Sequence, residues 1–98
     1  MGDDIIWALI KENYMRFVVY GRETCPVCTK ALDFLKLKGL EDSAQYVDLD
    51  VTDGALEGIK RDGFKTIPAI YYNDGESDAW TVVGGYRQLQ EFIKEKGL

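Results

Sequence analysis

Two cysteines three residues apart are the residues of this chain best suited to chemistry. Cys25 and Cys28 are the only cysteines among 98 residues, and the chain has no histidine. Two thiols this close, in a sequence without a recognisable export signal, are typical of a catalytic dithiol or a metal site in a reducing compartment. The missing histidine removes imidazole acid–base catalysis and the commonest metal ligand.

The position of Cys25 favours the catalytic interpretation. Cys25 falls where a predicted strand ends and a helix begins near Pro26, a residue suited to the first helical turn. Free backbone N–H groups and the helix dipole favour an anion there, and the thiolate is the nucleophilic form of cysteine. Arg22, three residues earlier, adds a cation. We therefore expect Cys25 to attack a substrate disulfide and Cys28, one helical turn further on, to resolve the mixed disulfide.

Two other uses of the cysteine pair fit the sequence less well. A structural disulfide between Cys25 and Cys28 would close a very short loop and restrict the unfolded chain little. A zinc site takes four cysteine or histidine ligands, of which this chain offers two, so it would need a second subunit or an external thiol. The sequence therefore predicts a redox dithiol and no metal site.

The elements that must position the dithiol alternate between helix and strand. Strands are predicted at residues 16–20, 44–49, 69–72 and 80–83. Helices are predicted within residues 3–10, from Pro26 to a stop at Gly39, from a cap at Thr52 or Asp53 to Arg61, and at 86–96. The order α-β-α-β-α-β-β-α predicts a parallel first strand pair joined by a right-handed crossover and a final hairpin turning at residues 73–75. The sequence thus predicts an α/β protein, a single domain of residues 1–98, with a four-stranded mixed sheet between helices and an N-terminal helical extension at 1–14.

Composition and charge exclude several classes of protein. Hydrophobic residues make up 46% and charged residues 30%, which is ordinary for a globular domain. The net charge of −5 argues against nucleic-acid binding. No apolar run approaches the roughly 18 residues of a membrane span. Gly2, Asp3 and Asp4 stand where a signal peptide would be basic, so we predict a cytoplasmic protein.

Three short motifs follow one another along the chain: residues 20–28 (Tyr-Gly-Arg-Glu-Thr-Cys-Pro-Val-Cys), Thr66-Ile67-Pro68 and Gly84-Gly85. In this order they resemble motifs of the glutaredoxin family, particularly its small bacterial and bacteriophage members, and the resemblance covers about residues 16–95. The resemblance implies a thioredoxin fold and a glutathione-dependent dithiol oxidoreductase that reduces protein disulfides and glutathione mixed disulfides. It further implies glutathione as co-substrate, no tightly bound cofactor, a monomer, and ribonucleotide reductase as a protein substrate.

The resemblance also implies a glutathione-binding groove. Pro68 would be a cis-proline facing the cysteines, so that the Ile67 backbone pairs with the cysteinyl part of glutathione. The helix that starts after the double glycine would hold the γ-glutamyl carboxylate with its N–H groups. The residues expected to bind glutathione are Arg22, Val27, Thr66, Ile67, Pro68, Gly84, Gly85 and Tyr86.

Departures from the family pattern leave the electron donor open. Val27 stands where many members carry an aromatic residue, and Arg87 follows Tyr86 where many carry Asp or Ser soon after the glycines. Residues 85–87 (Gly-Tyr-Arg) instead resemble the Gly-Phe-Arg segment of redoxins that thioredoxin reductase reduces, so such a redoxin serving ribonucleotide reductase is the alternative. The family's polar contact from the preceding helix has no clear equivalent; the candidates are Lys60, Arg61 and Lys65.

Two further hypotheses are weaker. An iron–sulfur carrier would ligate a cluster through Cys25 and glutathione between two subunits, but Pro26 and the competing thiol of Cys28 argue against it. Tyr71, Tyr72 and Trp80 could form an aromatic ligand platform, although strands favour aromatic residues for packing alone. We therefore expect these three residues to pack on the sheet.

Overall fold

The computed structural model describes residues 16–73 and 80–98. The strands are β1 (Phe17–Gly21), β2 (Ala44–Asp48), β3 (Ala69–Tyr72) and β4 (Thr81–Gly84), and the helices are α1 (Pro26–Leu37), α2 (Ala55–Arg61) and α3 (Tyr86–Lys96). A short 3₁₀ helix, Glu41–Ser43, which the sequence did not predict, precedes β2. The predicted order of strands and helices from β1 onward is confirmed. The helix predicted within residues 3–10, the extension at 1–14, and Asp74 and Gly75 of the predicted turn lie outside the described residues.

The four strands form one mixed sheet in the order β2-β1-β3-β4. β1 runs parallel to β2, with Phe17 opposite Ala44 and Gly21 opposite Asp48. β3 is antiparallel to both β1 and β4. The parallel pair and the final antiparallel pair are therefore as predicted, and β1 at the centre carries the chain directly into the cysteine segment.

The core lies in two clusters on opposite faces of the sheet. One cluster packs inward residues of β1 and β3 against α1 and α3, and its fully buried members are Phe17, Val19, Ala31, Leu35, Ile70, Leu89 and Ile93. The other lies beneath α2 and comprises Leu49, Ile59, Ala69 and Tyr71. Each large apolar side chain buried in this way stabilises the fold by about 1.5–3 kcal/mol relative to leaving it in water. Within the two described ranges, none of the helices combines the length and the apolar character needed to cross a membrane.

The start of α2 differs from the prediction. The helix begins at Ala55 rather than after a Thr52 or Asp53 cap, and its cap residue is Gly54 with a φ of +81° and no side-chain hydrogen bond. The reason lies in the turns after β2, where the Thr52 N–H donates to the Asp48 carbonyl and the Ala55 N–H to the Thr52 carbonyl. This path requires a left-handed residue at position 54, which glycine adopts at little cost.

Candidate dithiol site

The passage from β1 into α1 places Cys25 at the N-terminus of the helix. Cys25 is the cap residue, with φ −97° and ψ 106°, and Pro26 opens the helix. Its backbone N–H donates to the Arg22 carbonyl at 3.1 Å, which closes the turn. The Cys28 N–H donates to the Cys25 sulfur at 3.2 Å. The sulfur of Cys25 thus takes the position of a capping oxygen, where a negative charge is stabilised by helix N–H groups.

The two sulfurs lie 2.6 Å apart but in different surroundings. Cys25 is partly exposed, whereas Cys28 is 1% exposed; both are free thiols. Burial raises the pKa of the Cys28 thiol to about 11, and its hydrogen bond to Cys25 acts in the same direction. Cys28 therefore keeps its proton at neutral pH and donates it to the Cys25 sulfur.

Gly21 is a residue of this site that the sequence analysis treated only as the end of a strand. It follows Phe17 and Val19 in the buried positions of β1 and so faces the start of α1. A Cβ atom at this position would lie 2.6 Å from the Cys28 Sγ and 3.3 Å from the Cε2 atom of the Tyr46 ring. Alternation along β1 was the available signal, because it places position 21 on the buried face.

A basic groove lies beside this turn. It is a cavity of about 350 Å³ whose walls include Arg22, Lys60, Lys65, Thr66 and Ile67, and we call these five residues the basic groove. The peptide bond that follows, Ile67–Pro68, is cis, as the family resemblance implied. Arg22 links the groove to the dithiol turn, since it lines the groove and its carbonyl accepts from the Cys25 N–H.

The side chain of Arg22 has a partner that the sequence analysis missed. Its Nε donates to an Asp50 carboxylate oxygen at 2.9 Å, and both side chains are substantially exposed. Asp50 is itself held by its N–H, which donates to the Asp48 side chain at 2.9 Å. The parallel pairing of β1 and β2 gave a signal for this contact, because the carboxyl ends of parallel strands meet at one edge of the sheet.

The start of α3 lies next to the cis-proline. Gly84 has a φ of +118°, and a Cβ there would meet the Gln88 side chain at 2.9 Å, so this position requires glycine. A Cβ on Gly85 would lie 3.8 Å from the Pro68 carbonyl oxygen. The Gly85 N–H donates to the Gln88 side chain at 3.1 Å. The helix N-terminus that the sequence predicted as a carboxylate site is therefore adjacent to Pro68, with one of its N–H groups satisfied internally.

The remaining predicted residues lie at the edges of this arrangement. Tyr86 is partly buried and packs edge-on against Phe34, with ring centroids 6.2 Å apart. Val27 is 41% exposed and is not among the residues that line the basic groove. The structure thus brings Arg22, Thr66 and Ile67 into one cavity and places Gly85 beside Pro68, while Val27 faces solvent.

Comparison with known proteins identifies the architecture. The model of the glutaredoxin family matches residues 17–76 of the chain. The chain belongs to the glutaredoxin family. Glutaredoxins are thiol–disulfide oxidoreductases, and this activity is that of the present protein.

Individual glutaredoxins are similar over most of their length. Glutaredoxin 1 of Escherichia coli (strain K12) is 29% identical over 90 residues, covering 83% of this chain and 95% of its own. The solved structure of reduced Escherichia coli glutaredoxin is 30% identical with a TM-score of 0.62, over 83% of this chain and 95% of that one. A glutaredoxin structure from Brucella melitensis is 27% identical with a TM-score of 0.60, covering 87% and 84%. These neighbours share the thioredoxin fold of this glutaredoxin.

Two other sequence-based interpretations concern metals and aromatics. Among residues 16–73 and 80–98 no three Asp, Glu, Cys or His side chains converge in a way that could hold a metal ion. Tyr71 and Tyr72 pack in the two core clusters of the glutaredoxin sheet, as expected. Trp80 is 44% exposed and lines, with Tyr71, a second cavity under α2.

Proposed function

We propose that this glutaredoxin is a glutathione-dependent dithiol oxidoreductase, with Cys25 as nucleophile and Cys28 as resolving thiol. The observation that carries the proposal is that Arg22, a wall of the basic groove, accepts through its carbonyl a hydrogen bond from Cys25, whose partly exposed sulfur caps α1. Glutathione carries two carboxylates and a negative net charge. Arg22, Lys60 and Lys65 supply the complementary charge within one cavity.

A glutathione mixed disulfide needs one cysteine of the enzyme. The Cys25 thiolate attacks the glutathione sulfur, a Cys25–glutathione disulfide forms, and the protein thiolate leaves and takes up a proton. The thiolate of a second glutathione then attacks the glutathione sulfur of that intermediate. Oxidised glutathione leaves and the Cys25 thiolate is regenerated, so one free glutathione is consumed per mixed disulfide and the other half of the oxidised glutathione comes from the substrate.

A protein disulfide needs both cysteines. Cys25 attacks one substrate sulfur and displaces the other as a thiolate, and Cys28 then attacks the Cys25 sulfur to release the reduced substrate. Cys28 must first lose its proton, which the departing thiolate accepts. Burial is the main cause of the raised Cys28 pKa, and the hydrogen bond to Cys25 and the charge of Cys25 raise it further. When Cys25 enters a mixed disulfide, its charge and its hydrogen bond no longer raise the pKa of Cys28. Cys28 therefore ionises more easily at the step in which it attacks. Two glutathione molecules then reduce the Cys25–Cys28 disulfide.

The groove accommodates glutathione in an extended form. The Ile67 backbone pairs with the cysteinyl residue, and Lys60 and Lys65 bind the glycyl carboxylate with Arg22 and Thr66 beside them. The γ-glutamyl carboxylate lies at the start of α3, near Gly84, Gly85 and Tyr86, where it displaces the Gln88 side chain from the Gly85 N–H. Pro68 and Val27 border the thiol. The family resemblance implies the contacts of Ile67, Pro68 and the start of α3, whereas Lys60 and Lys65 are assigned from their positions in the groove.

A second candidate differs only in the electron donor. Arg87 directly follows Gly85–Tyr86, its side chain is 86% exposed, and its contact with Glu91 is a loose 3.7 Å. An exposed arginine after this helix start is the feature shared with redoxins that thioredoxin reductase reduces. In either case we propose a monomer acting in the cytoplasm on disulfide-containing proteins, with ribonucleotide reductase as the substrate to test first.

One turnover assay separates the two donors. The reduced enzyme is cycled with a glutathionylated peptide, either with glutathione and glutathione reductase or with thioredoxin reductase, while NADPH consumption is followed. We expect turnover with glutathione and little with the flavoenzyme alone; the reverse result assigns the alternative donor. Iodoacetamide at neutral pH should label Cys25 first, because Cys28 is buried and protonated, and faster labelling of Cys28 would reverse the assigned roles.

A further inference from the structure

A hydrogen bond between Tyr71 and Asp62 joins the end of α2 to the sheet. The Tyr71 hydroxyl donates to the Asp62 carboxylate at 2.5 Å. Asp62 is the residue that ends α2, and its N–H donates to the Gly58 carbonyl at 3.2 Å. Tyr71 is on β3 and is 9% exposed, so its position is fixed by the core. Burial and the bond to Asp62 both raise the pKa of the Tyr71 hydroxyl, which therefore stays a donor at physiological pH.

The Tyr71 ring also holds the segment that follows α2. Its ring centroid lies 5.5 Å from that of Phe64 and 5.5 Å from that of Tyr20. The Phe64 N–H in turn donates to the Ile59 carbonyl at 3.0 Å. The Tyr71 side chain thus contacts Asp62 and Phe64, which lie near the start of the connection from α2 to β3.

The same connection supplies most of the basic groove. Lys65, Thr66 and Ile67 lie between Phe64 and Pro68, and Lys60 lies in the last turn of α2. Lys65 and Thr66 are exposed, so packing of their own side chains does not fix them. Their placement depends on the two ends of the connection, which are the Tyr71 contacts at residues 62 and 64 and the start of β3 at Ala69.

We propose that Tyr71, through its bond to Asp62, is a positioning residue for substrate binding in the basic groove. The inference rests on the proposed function, in which a glutathionyl group occupies that groove. Tyr71 touches neither sulfur and takes no part in electron transfer. Its hydroxyl holds α2 and the connection to β3 in the geometry that presents Lys60, Lys65 and the Ile67 backbone to the ligand.

The experiment measures steady-state kinetics with a glutathionylated peptide for Tyr71→Phe, Asp62→Ala and the double variant. Each single change should raise KM about three- to tenfold with kcat retained, because the lost charge-assisted hydrogen bond holds the segment that carries the groove residues and lies away from the dithiol. The double variant should be no worse than either single one, since both remove the same bond. Asp62→Asn, which keeps an acceptor oxygen for the Tyr71 hydroxyl, should recover most of the loss.

Two controls separate positioning from stability. Tyr72→Phe removes a hydroxyl from the next residue of β3, whose ring packs in the opposite cluster with Phe17 and Phe92, and should leave KM unchanged. The rate at which iodoacetamide labels Cys25 should be the same in all these variants. A lower melting temperature for Tyr71→Phe with an unchanged KM would show that the bond is only structural and would overturn the proposal.

Lys65→Ala distinguishes this proposal from the proposed function. If Lys65→Ala raises KM and Tyr71→Phe does not, the groove binds glutathione and the positioning role is wrong. If neither variant changes KM, the groove is not the glutathione site, and both proposals fail together. An equal rise in KM for Tyr72→Phe, or additive effects in the double variant, would also contradict a specific role for the Tyr71–Asp62 bond.

Discussion

The dithiol turn, residues 21–28, and the basic groove are built in opposite ways. In the turn, backbone contacts and close packing position the two cysteines. The Cys25 sulfur caps α1, the Cys28 side chain is buried, and only a glycine at position 21 leaves room for the Cys28 sulfur. The groove is formed by exposed side chains on a connection between elements. Changes in the turn should therefore alter which chemical steps are possible, whereas changes in the groove should alter binding by modest factors.

The largest expected effect separates the two cysteines. Cys25→Ser should lower reduction of both mixed and protein disulfides more than about 100-fold, because no other residue supplies the nucleophile. Cys28→Ser should retain exchange with glutathione mixed disulfides, since glutathione resolves the intermediate, and should lose most reduction of protein disulfides. Both rates are measured on the same preparations with a glutathionylated peptide and with a disulfide-bonded protein. Equal losses on the mixed disulfide in the two variants would contradict this division of roles.

Gly21→Ala tests whether the turn has no spare volume. The new methyl group would have to displace Cys28, so we expect a loss of about 1–3 kcal/mol of stability, as for other overpacked sites. Reduction of protein disulfides should fall more than exchange with mixed disulfides, because Cys28 acts only in the former.

Gly58→Ala is the matched control for Gly21→Ala. No neighbouring atom lies within 4 Å of a Cβ there, and alanine in a helix is favoured over glycine by up to about 1 kcal/mol. Denaturant titration of the reduced proteins gives both values, and a Gly21→Ala variant as stable as Gly58→Ala would show that the turn adapts.

The buried thiol should also make stability depend on alkaline pH. The pKa of Cys28 is raised from an ordinary value of 9.0 to about 11 in the folded protein. Between these values the folded protein retains a proton that the unfolded chain has lost, so stability falls as pH rises through this window and is unaffected below it. The difference corresponds to about 2–3 kcal/mol at its full extent.

The variant Cys28→Ser isolates this contribution. Burial also raises the pKa values of Tyr46 and Tyr71, and this contribution cancels because both residues are present in the two proteins. The charge of Cys28 raises the pKa of Tyr46 further, so this smaller effect is part of the measured difference. Unfolding free energies of the reduced proteins are compared at pH 8 and pH 10.5. The wild-type protein should lose more stability than Cys28→Ser over this interval, and parallel losses would mean that burial of Cys28 does not hold its proton.

The contrast between the locally built turn and the groove, which joins distant segments, also explains which features the sequence could predict. Features that depend on local order were recoverable: the capping position of Cys25, the boundaries of β3 and α3, and the mixed sheet follow from periodicity and turn residues. Features that depend on contacts between distant segments were not. The parallel pairing of β1 and β2 places Arg22 and Asp50 at one edge of the sheet but does not by itself predict their ion pair. The Tyr71–Asp62 bond joins a strand to a helix end, and no sequence pattern indicates it. The cap of α2 was mispredicted because Thr52 and Asp53 have capping side chains but are used in the preceding turns.

The smallest expected effect concerns the Arg22–Asp50 pair, which lies between the two regions. Both side chains are exposed to solvent, 39% and 56%, so the pair contributes less than about 1 kcal/mol to stability. Its effect on binding should be more visible, because Asp50 neutralises the guanidinium that would otherwise face a glutathione carboxylate. Asp50→Asn should therefore lower KM for a glutathionylated peptide about two- to threefold at low salt. This gain in binding should shrink as salt shortens the screening length, which is about 8 Å at 0.15 M.

Glu91→Gln is the control for the change in net charge, because it removes the same formal charge from α3 and releases Arg87 instead of Arg22. A rise in KM for Asp50→Asn would mean that Asp50 holds Arg22 in its binding position rather than competing for it, and an unchanged KM would show that Arg22 does not bind the glutathione carboxylate.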